Sequence, residues 1–489
     1  MPDAGSNDRE RGPARGRDRG HDRGLWHHAN FLRLWAAQLV SAFGSRITRT
    51  ALPIIAVKTL DQPGAILGLL TAMQLVPGVF LAMVAGGFVD RGRKRRILIA
   101  ADLARAALVG SLTLAWALGG LTMLQLIVVG AGVGAASALF QITDVAYLPG
   151  LIGRSHLAEG NAKLETTEAI AEITGPASGG ALIAALGAPL AVAIDAASYL
   201  WSALMLGRIR EGAAVSEAPG DASPGLARGE PAPRSGSPGL PAAGDEIGEE
   251  TGDATRDAID DALPVRTGED FRIGLRAVFG HPLVRPIVLT LMLWSILGGF
   301  FMTLYTPYCL RELGLSEATF GVIIAMGGVG SLAGAVTARA LARVLGVGWT
   351  LFSTAALSLA CSLFIPLAAS ATSHAMMIGF LVAHQLLSDG FAVAFIVLSV
   401  TLRQTVLPRD TLGRANAAVH VCTAGVLPVA ALIAGGLSMW IGTRAAVWVG
   451  VLIGLVAPIF VWRLRHLKDM PSGDPAAIDP GRSRDTSGA

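Results

Sequence analysis

Twelve apolar stretches, each close to the ~20 residues a helix needs to cross ~30 Å of hydrocarbon, dominate this 489-residue chain. They fall at about 33–58, 65–88, 97–118, 122–149, 162–185 and 189–207, and again at about 284–306, 317–342, 349–370, 375–402, 415–437 and 443–463. A segment in lipid must satisfy its backbone N–H and C=O groups internally, so each stretch reads as a helix. The expected fold class is an all-α membrane protein of twelve transmembrane helices. Charged residues are only 15% of the chain, well under the roughly 25% of soluble domains. The net charge of +3 comes with Arg clustered between apolar runs, a topology signal rather than a nucleic-acid footprint. Cys309, Cys361 and Cys422 have no metal-ligand or disulfide spacing.

The stretches form two sets of six. Residues 1–30 are rich in Arg, Asp and Gly without apolar periodicity, and 209–270 are rich in Gly, Pro, Ala, Ser, Asp and Glu. Neither can bury a core, so both are expected to be disordered, as is the tail from 467 to 489. That leaves six-helix bundles at 31–208 and 271–466. Just after the linker, Phe271, Leu275 and Val278 alternate with Arg272 and Arg276, a pattern for a short interfacial amphipathic helix or the frayed start of the seventh span.

Lys and Arg in the short loops set orientation. Arg91, Arg93, Lys94, Arg95, Arg96, Arg154, Arg339, Arg343, Arg403, Arg409, Arg414, Arg463, Arg465 and Lys468 lie on one side. The other side shows little beyond Lys58, Arg311 and Arg444. Both termini and the linker are therefore expected in the cytoplasm, with the chain multi-pass in the inner (plasma) membrane. The halves also repeat. Gly153-Arg154, Asn161-Ala162, Gly179-Gly180 and Gly187 match Gly413-Arg414, Asn416-Ala417, Gly435-Gly436 and Gly442 in order. Pseudo-symmetric bundles with a binding site near mid-membrane are how rocking transporters are built.

Ionisable groups within the spans are costly, about 2.5–3.5 kcal/mol even on insertion scales, and so mark candidate sites. Glu165, Glu168 and Glu172 share one face of the fifth span. Glu168 and Glu172, with Asp389 in the tenth span and Asp144 in the fourth, are candidate proton-coupling residues. Each could instead pair structurally with Arg46, Arg49 or Arg105. Asp102 and Asp195, near span ends, read as packing or capping residues. Gln38, Trp294, Phe300, Tyr305 and Phe391 are candidate substrate contacts, with Phe301, Phe395 and His384 nearby, because aromatic walls suit amphiphiles.

Between spans two and three stands Gly86-Gly87-Phe88-Val89-Asp90-Arg91-Gly92-Arg93-Lys94-Arg95-Arg96, and in span five Gly175-Pro176-Ala177-Ser178-Gly179-Gly180. The first resembles the loop signature of the major facilitator superfamily, and the second resembles the core of its antiporter-associated motif. The resemblance implies gating roles for Gly86, Gly87, Asp90, Arg91, Arg95, Gly175, Pro176, Gly179, Gly180 and Arg414. Further pieces are Phe31-x-x-Leu-Trp35, Gly44, Asp102-Leu103-x-Arg105, Leu157 with Asn161-Ala162, Asp195-Ala196-x-Ser198, Gly274 to Pro286 and Gly413-Arg414-x-Asn416-Ala417. Together they resemble the drug-efflux branch that includes macrolide efflux pumps and the enterobactin exporter. Ser45, Ala171 and Ile142-Thr143 depart from that branch's pattern.

These features lead to an expected exporter of amphiphilic small molecules, acting by alternating access with proton antiport. No Walker motif and no nucleophile–base constellation stands in the sequence, so neither ATP drive, an enzyme activity nor a cofactor is implied. The expected partners are the substrate, protons and the bilayer, with no nucleic acid, and the chain is expected to be monomeric. A siderophore or metabolite exporter and a non-transporting membrane sensor are the alternatives.

Overall fold

The computed structural model describes residues 25–209 and 268–468, without the side chains of residues 82–88, 90, 91, 154, 268–270 and 409. The expectations of disorder for the tails and linker lie outside the described residues. So do those for Gly86, Gly87, Asp90 and Arg91, beyond the helical backbone that carries them. Among the described residues the chain is helical throughout, with no strand. The first half holds α1 (Ala29–Ile54), α2 (Gly64–Arg91), α3 (Lys94–Ala117), α4 (Met123–Ile152), α5 (Leu157–Leu186) and α6 (Ala188–Gly207). The second holds the short α7 (Gly268–Gly280), then α8 (Val284–Pro307) and α9 (Glu317–Leu345). It continues with α10 (Val347–Ala368), α11 (His374–Val406), α12 (Arg409–Ile441) and α13 (Thr443–His466). Eleven of these are long and apolar enough to cross a membrane. The twelfth pass, α1, carries Arg33, Arg46 and Arg49.

Local chemistry sets the helix ends. Side chains of His28, Thr122, Ser316 and Ser373 each accept a hydrogen bond from the backbone N–H three residues on, capping α1, α4, α9 and α11. Gly187 and Gly442, the paired glycines of the repeat, have φ of +81° and +82° and join α5 to α6 and α12 to α13. A left-handed joint of this kind lets two antiparallel helices meet without a loop, and a side chain there would be strained.

Each bundle contains six passes, so chain entry, linker ends and chain exit share one end of the molecule, here the terminus end. Val347 and Gly348 at the start of α10 donate to the carbonyls of Lys468 and Leu467 there. At this end the halves have separate apolar cores. Leu25, Phe31, Leu98, Ile152 and Leu206 cluster in the first half. Ile287, Val347, Leu402 and Leu464 form one cluster in the second half, and Val278, Val284 and Ala418 form another. At the far end a single core runs through both halves, from Ile55, Leu112 and Ile183 to Leu310, Leu315 and Ala446. The molecule is thus packed shut at the far end and divided at the terminus end.

The segment after the linker is a separate helix, α7. Its Phe271, Leu275 and Val278 pack against Ala415, Ala418 and Val419 of α12, with Val278 fully buried. Its apolar stripe is therefore occupied by a neighbouring helix, not left to an interface.

Candidate functional site

Charge inside the first half is organised by Arg46. Its guanidinium bonds Glu168 at 2.9 Å and also pairs with Glu172. Both carboxylates sit on the α5 face that the i, i+4 spacing predicts. A Cβ at Gly175 would lie 2.7 Å from Arg46 Cβ and Cγ, so the glycine makes room for the arginine stem. The arginine side chain is 11% exposed, whereas those of Glu168 and Glu172 are about half exposed, at 52% and 50%. Arg46 thus pairs directly with two carboxylates that remain open to water, and the nearby buried Arg49 also feels both charges. On α4, Asp144 accepts a 2.7 Å bond from Gln38 of α1. Gln38, a candidate substrate contact, thus holds a candidate proton carrier. On α11, a π-helical turn at His384–Ser388 precedes Asp389, whose carboxylate fills the space beside Gly327 of α9. Asp144, Glu168 and Glu172 lie in the first half, and Asp389, although in the second, lies near enough to Glu172 to feel its charge.

Asp102 and Asp195 are both fully buried. Asp102 pairs with Arg105, and the guanidinium lies between the rings of Phe140 and Tyr199, 4.4 Å from each centroid. Asp195 accepts from Ser198 at 2.9 Å, and the hydroxyls of Ser202 and Thr48 stand beside the two carboxylates. This is a packed polar core within one bundle, in keeping with a structural role.

A cavity of about 610 Å³ lies in the second half. Leu291, Trp294, Ser295 and Gly298 of α8 line it, facing Ala392, Ile396, Val400 and Arg403 of α11. The spacings within each set are helical, so each helix presents one face. The third wall is a stripe on α12 that includes Asn416, His420, Thr423 and Leu427. Of the predicted aromatic contacts, only Trp294 reaches this cavity. Phe391 is half-buried one position before Ala392 and is not part of the wall. Phe300 and Tyr305 do not reach the cavity: both are 3% exposed and line a separate small pocket with Phe301 and Ile365 in the core of the second bundle. Phe300 is seated over Gly450, where a Cβ would fall 2.7 Å from its ring, and Tyr305 stacks on Phe301 with centroids 4.2 Å apart. An apolar ring on a transmembrane helix is equally favourable against protein or in a cavity, so composition does not choose between them.

Arg403 also needs correction. It is not a loop residue but lies in the last turn of α11, 7% exposed. Arg95 acts within its own half: Nε donates to Leu206 O at 2.8 Å and Nη2 bonds Gly207 O, capping the end of α6. The backbone of Arg414 supports α7, with Gly274 packed on its carbonyl.

The halves meet at the far end along two glycine seams. A Cβ on Gly180 of α5 would lie 2.7 Å from Glu317 O and 2.8 Å from Gly321 Cα on α9. A Cβ on Gly435 of α12 would lie 2.6 Å from Gly64 O and 3.0 Å from Gly68 Cα on α2. The repeated Gly-Gly pairs of the two halves thus form equivalent crossings. Gly175 and Gly179 face α1, while Pro176 and Gly180 face α9, so the Gly-Pro motif is shared between an internal and an interdomain surface.

Polar contacts reinforce these seams. Arg311, in the π-helical turn that ends α8, donates to Gln62 O at 2.8 Å, to Val57 O at 2.7 Å and to Asp61 at 2.6 Å. Lys58, in the matching turn after α1, lies 3.9 Å from Glu317. Asp61 is the one non-glycine residue with positive φ among those described, at +47°; its counterpart Gly314 has +65°. Sequence reasoning took Lys58 and Arg311 as stray charges of the sparse side. Their matching places after the first and seventh spans were the available signal. Arg311→Ala is expected to weaken far-end closure by only about 1 kcal/mol, because Asp61 is exposed to solvent. The open population should rise about five-fold, measured as a distance distribution between spin labels placed across that end.

The sequence profile of the Major Facilitator Superfamily matches this chain in two overlapping stretches, residues 34–406 and 299–484. No curated protein sequence matches significantly. Among solved structures, a bacterial homologue of the iron transporter ferroportin in an inward-facing state aligns with TM-score 0.63 at 16% identity, over 89% of this chain and 98% of that one. A bacterial homologue of the human lysosomal transporter Spinster, also inward-facing, aligns with TM-score 0.63 at 14% identity, over 89% and 97%. The nucleoside transporter NupG aligns with TM-score 0.66 at 10% identity, over 90% and 100%. With twelve helical passes, two equivalent halves and a profile match over most of its length, this chain belongs to the Major Facilitator Superfamily.

Proposed function

We propose that the protein exports amphiphilic small molecules across the cell's inner membrane by alternating access, driven by proton antiport. It belongs in this reading to the drug-efflux branch, works as a single chain, and keeps both termini and the linker in the cytoplasm. The observation that carries the reading is the 610 Å³ cavity, whose walls are mostly apolar with a few polar groups at one end. That is the make-up of a site for drug-sized amphiphiles. Its walls all come from the second bundle, and its polar end lies toward the end where that bundle has a core separate from the first. In this reading, closing the terminus end and opening the far end would move a bound molecule across.

Arg46 supplies the proposed coupling. Protonating Glu168 or Glu172 removes one of its two anionic partners, which links proton uptake to the position of α1 against α5. One charge moving down ~150 mV supplies about 3.5 kcal/mol, roughly 300-fold of accumulation. The solved relatives named for iron and nucleosides raise other cargoes. A free metal cation is disfavoured by the guanidinium between the two carboxylates and by Arg403 at the cavity.

Inside-out vesicles test the proposal. Uptake of a lipophilic dye is expected, and a protonophore should dissipate it. The Glu168→Gln, Glu172→Gln double variant is expected to lose proton-driven uptake by about 100-fold or more while retaining dye exchange without a gradient. Unchanged coupling in that variant would remove these two residues as carriers and shift the role to Asp389.

A further inference from the structure

The cavity has a polarity gradient. Arg403 on α11 and Asn416 and His420 on α12 stand toward the terminus end, while Ile396 and Leu427 lie deeper. Its lining contains no Asp or Glu. Arg403 is more than nine-tenths buried, yet its Nε and Nη1 have no hydrogen-bond partner, and no carboxylate among the described residues pairs with it. A guanidinium within a span is costly unless something compensates it. The carbonyl end of α11 supplies part of that compensation, since Arg403 is in the last turn. Nε and Nη1 are shut off from solvent, so an acceptor must reach the guanidinium from the side on which Arg403 lines the cavity. Asn416 and His420 are exposed on the same side of the cavity, one helical turn apart on α12, and add polar groups beside the guanidinium.

We propose that this cavity takes amphiphiles with a single anionic head, a carboxylate, sulfonate or phosphate monoester. The head is held by Arg403 with Asn416 and His420, and the apolar body lies along Trp294, Ile396 and Leu427. The inference narrows the cargo of the exporter proposed above and rests on that reading. A planar guanidinium meets two oxygens of such a head with parallel hydrogen bonds, whereas a cationic amphiphile of equal size meets only repulsion there. The same chemistry is offered by a free organic anion and by the headgroup of an anionic phospholipid.

The test uses the full chain in phosphatidylcholine nanodiscs, with radiolabelled taurocholate as the anionic probe and radiolabelled tetraphenylphosphonium as the cationic one. Taurocholate is expected to bind the wild type, and Arg403→Gln is expected to weaken it by about ten-fold or more without weakening tetraphenylphosphonium. Arg403→Lys, which keeps the charge but loses the fork, should fall between the two. Leu427→Trp, which fills the deep end and leaves the head site intact, should weaken taurocholate as well. Equal weakening of both probes by Arg403→Gln, no weakening of taurocholate, or no effect of Leu427→Trp on taurocholate overturns the proposal. Adding phosphatidylglycerol to the discs separates the sources. Competition seen in the wild type and lost in Arg403→Gln assigns the head site to lipid, and no competition assigns it to a free amphiphile. Competition that persists unchanged in Arg403→Gln places the anion elsewhere and overturns the site. Vesicle uptake separates the two readings: proton-driven uptake of tetraphenylphosphonium without an Arg403 effect on taurocholate removes only the anion site. Arg403-dependent taurocholate binding with no driven uptake of either probe removes the exporter and leaves the site.

Discussion

Gly180→Val is expected to reduce transport by about 100-fold or more while both bundles still fold. The Cβ would enter a space already bounded by Glu317 O at 2.7 Å and Gly321 Cα at 2.8 Å. These are backbone atoms of another helix and cannot rotate away. Overpacking of this kind costs about 1–3 kcal/mol where neighbours can shift, and the branched side chain asks for more. The contact joins the halves rather than stabilising either one, so the strain is relieved by parting α5 from α9. The far end would then stay open, and a carrier confined to one side of its cycle does not transport. The matching change, Gly435→Val, meets Gly64 O at 2.6 Å across the other seam and should have the same effect. The measurements are substrate uptake in vesicles and the distance between spin labels across the far end. Normal uptake with an unchanged distance distribution would show that the seam yields freely and is not a pivot.

Arg105→Leu should cost stability instead. Asp102 is fully buried and Arg105 is 5% exposed, so removing the arginine leaves a carboxylate uncompensated inside the bundle. Breaking a buried pair from one side typically costs about 3–5 kcal/mol. Contacts with Phe140 and Tyr199 are lost as well. Denaturation in mixed micelles should show that loss, and adding Asp102→Asn should recover a large part of it. A loss below about 1 kcal/mol would mean that water already reaches the pair and that the ring sandwich does not shield it.

The pair was within reach of the sequence but not drawn from it: Asp102 read as a packing or capping residue, and Arg105 as a partner for other acids. Asp102 and Arg105 stand three residues apart on α3, so helical periodicity alone puts them on one face. Gly187 and Gly442 were legible through the repeat, and both proved to be left-handed joints. The α5 face carrying Glu168 and Glu172 was legible for the same reason. The partner was not: Arg46 is more than 120 positions away, and three arginines were available to the two acids. Arg403 was misplaced because hydropathy counts a charge at the end of a span as loop, whether it faces water or a cavity wall. The burial of Phe300 and Tyr305 in the second bundle was not legible, because a helix that is apolar all round does not reveal which side faces protein. The latch of Arg311 on Asp61 was out of reach, since it spans 250 positions and joins the two halves.

By itself, the sequence determined the number of passes, their pairing into two halves and the joints between several of them. A bilayer demands a fixed apolar length and internally satisfied backbone bonds, and both requirements are met within a single segment. Only the tertiary structure decided which end is shut, which acids share Arg46, and that an unpaired arginine lines the cavity. Those outcomes depend on how each helix is rotated about its axis against its neighbours. That rotation is set by small-residue seams such as Gly180 on Gly321, which bring together segments more than a hundred residues apart.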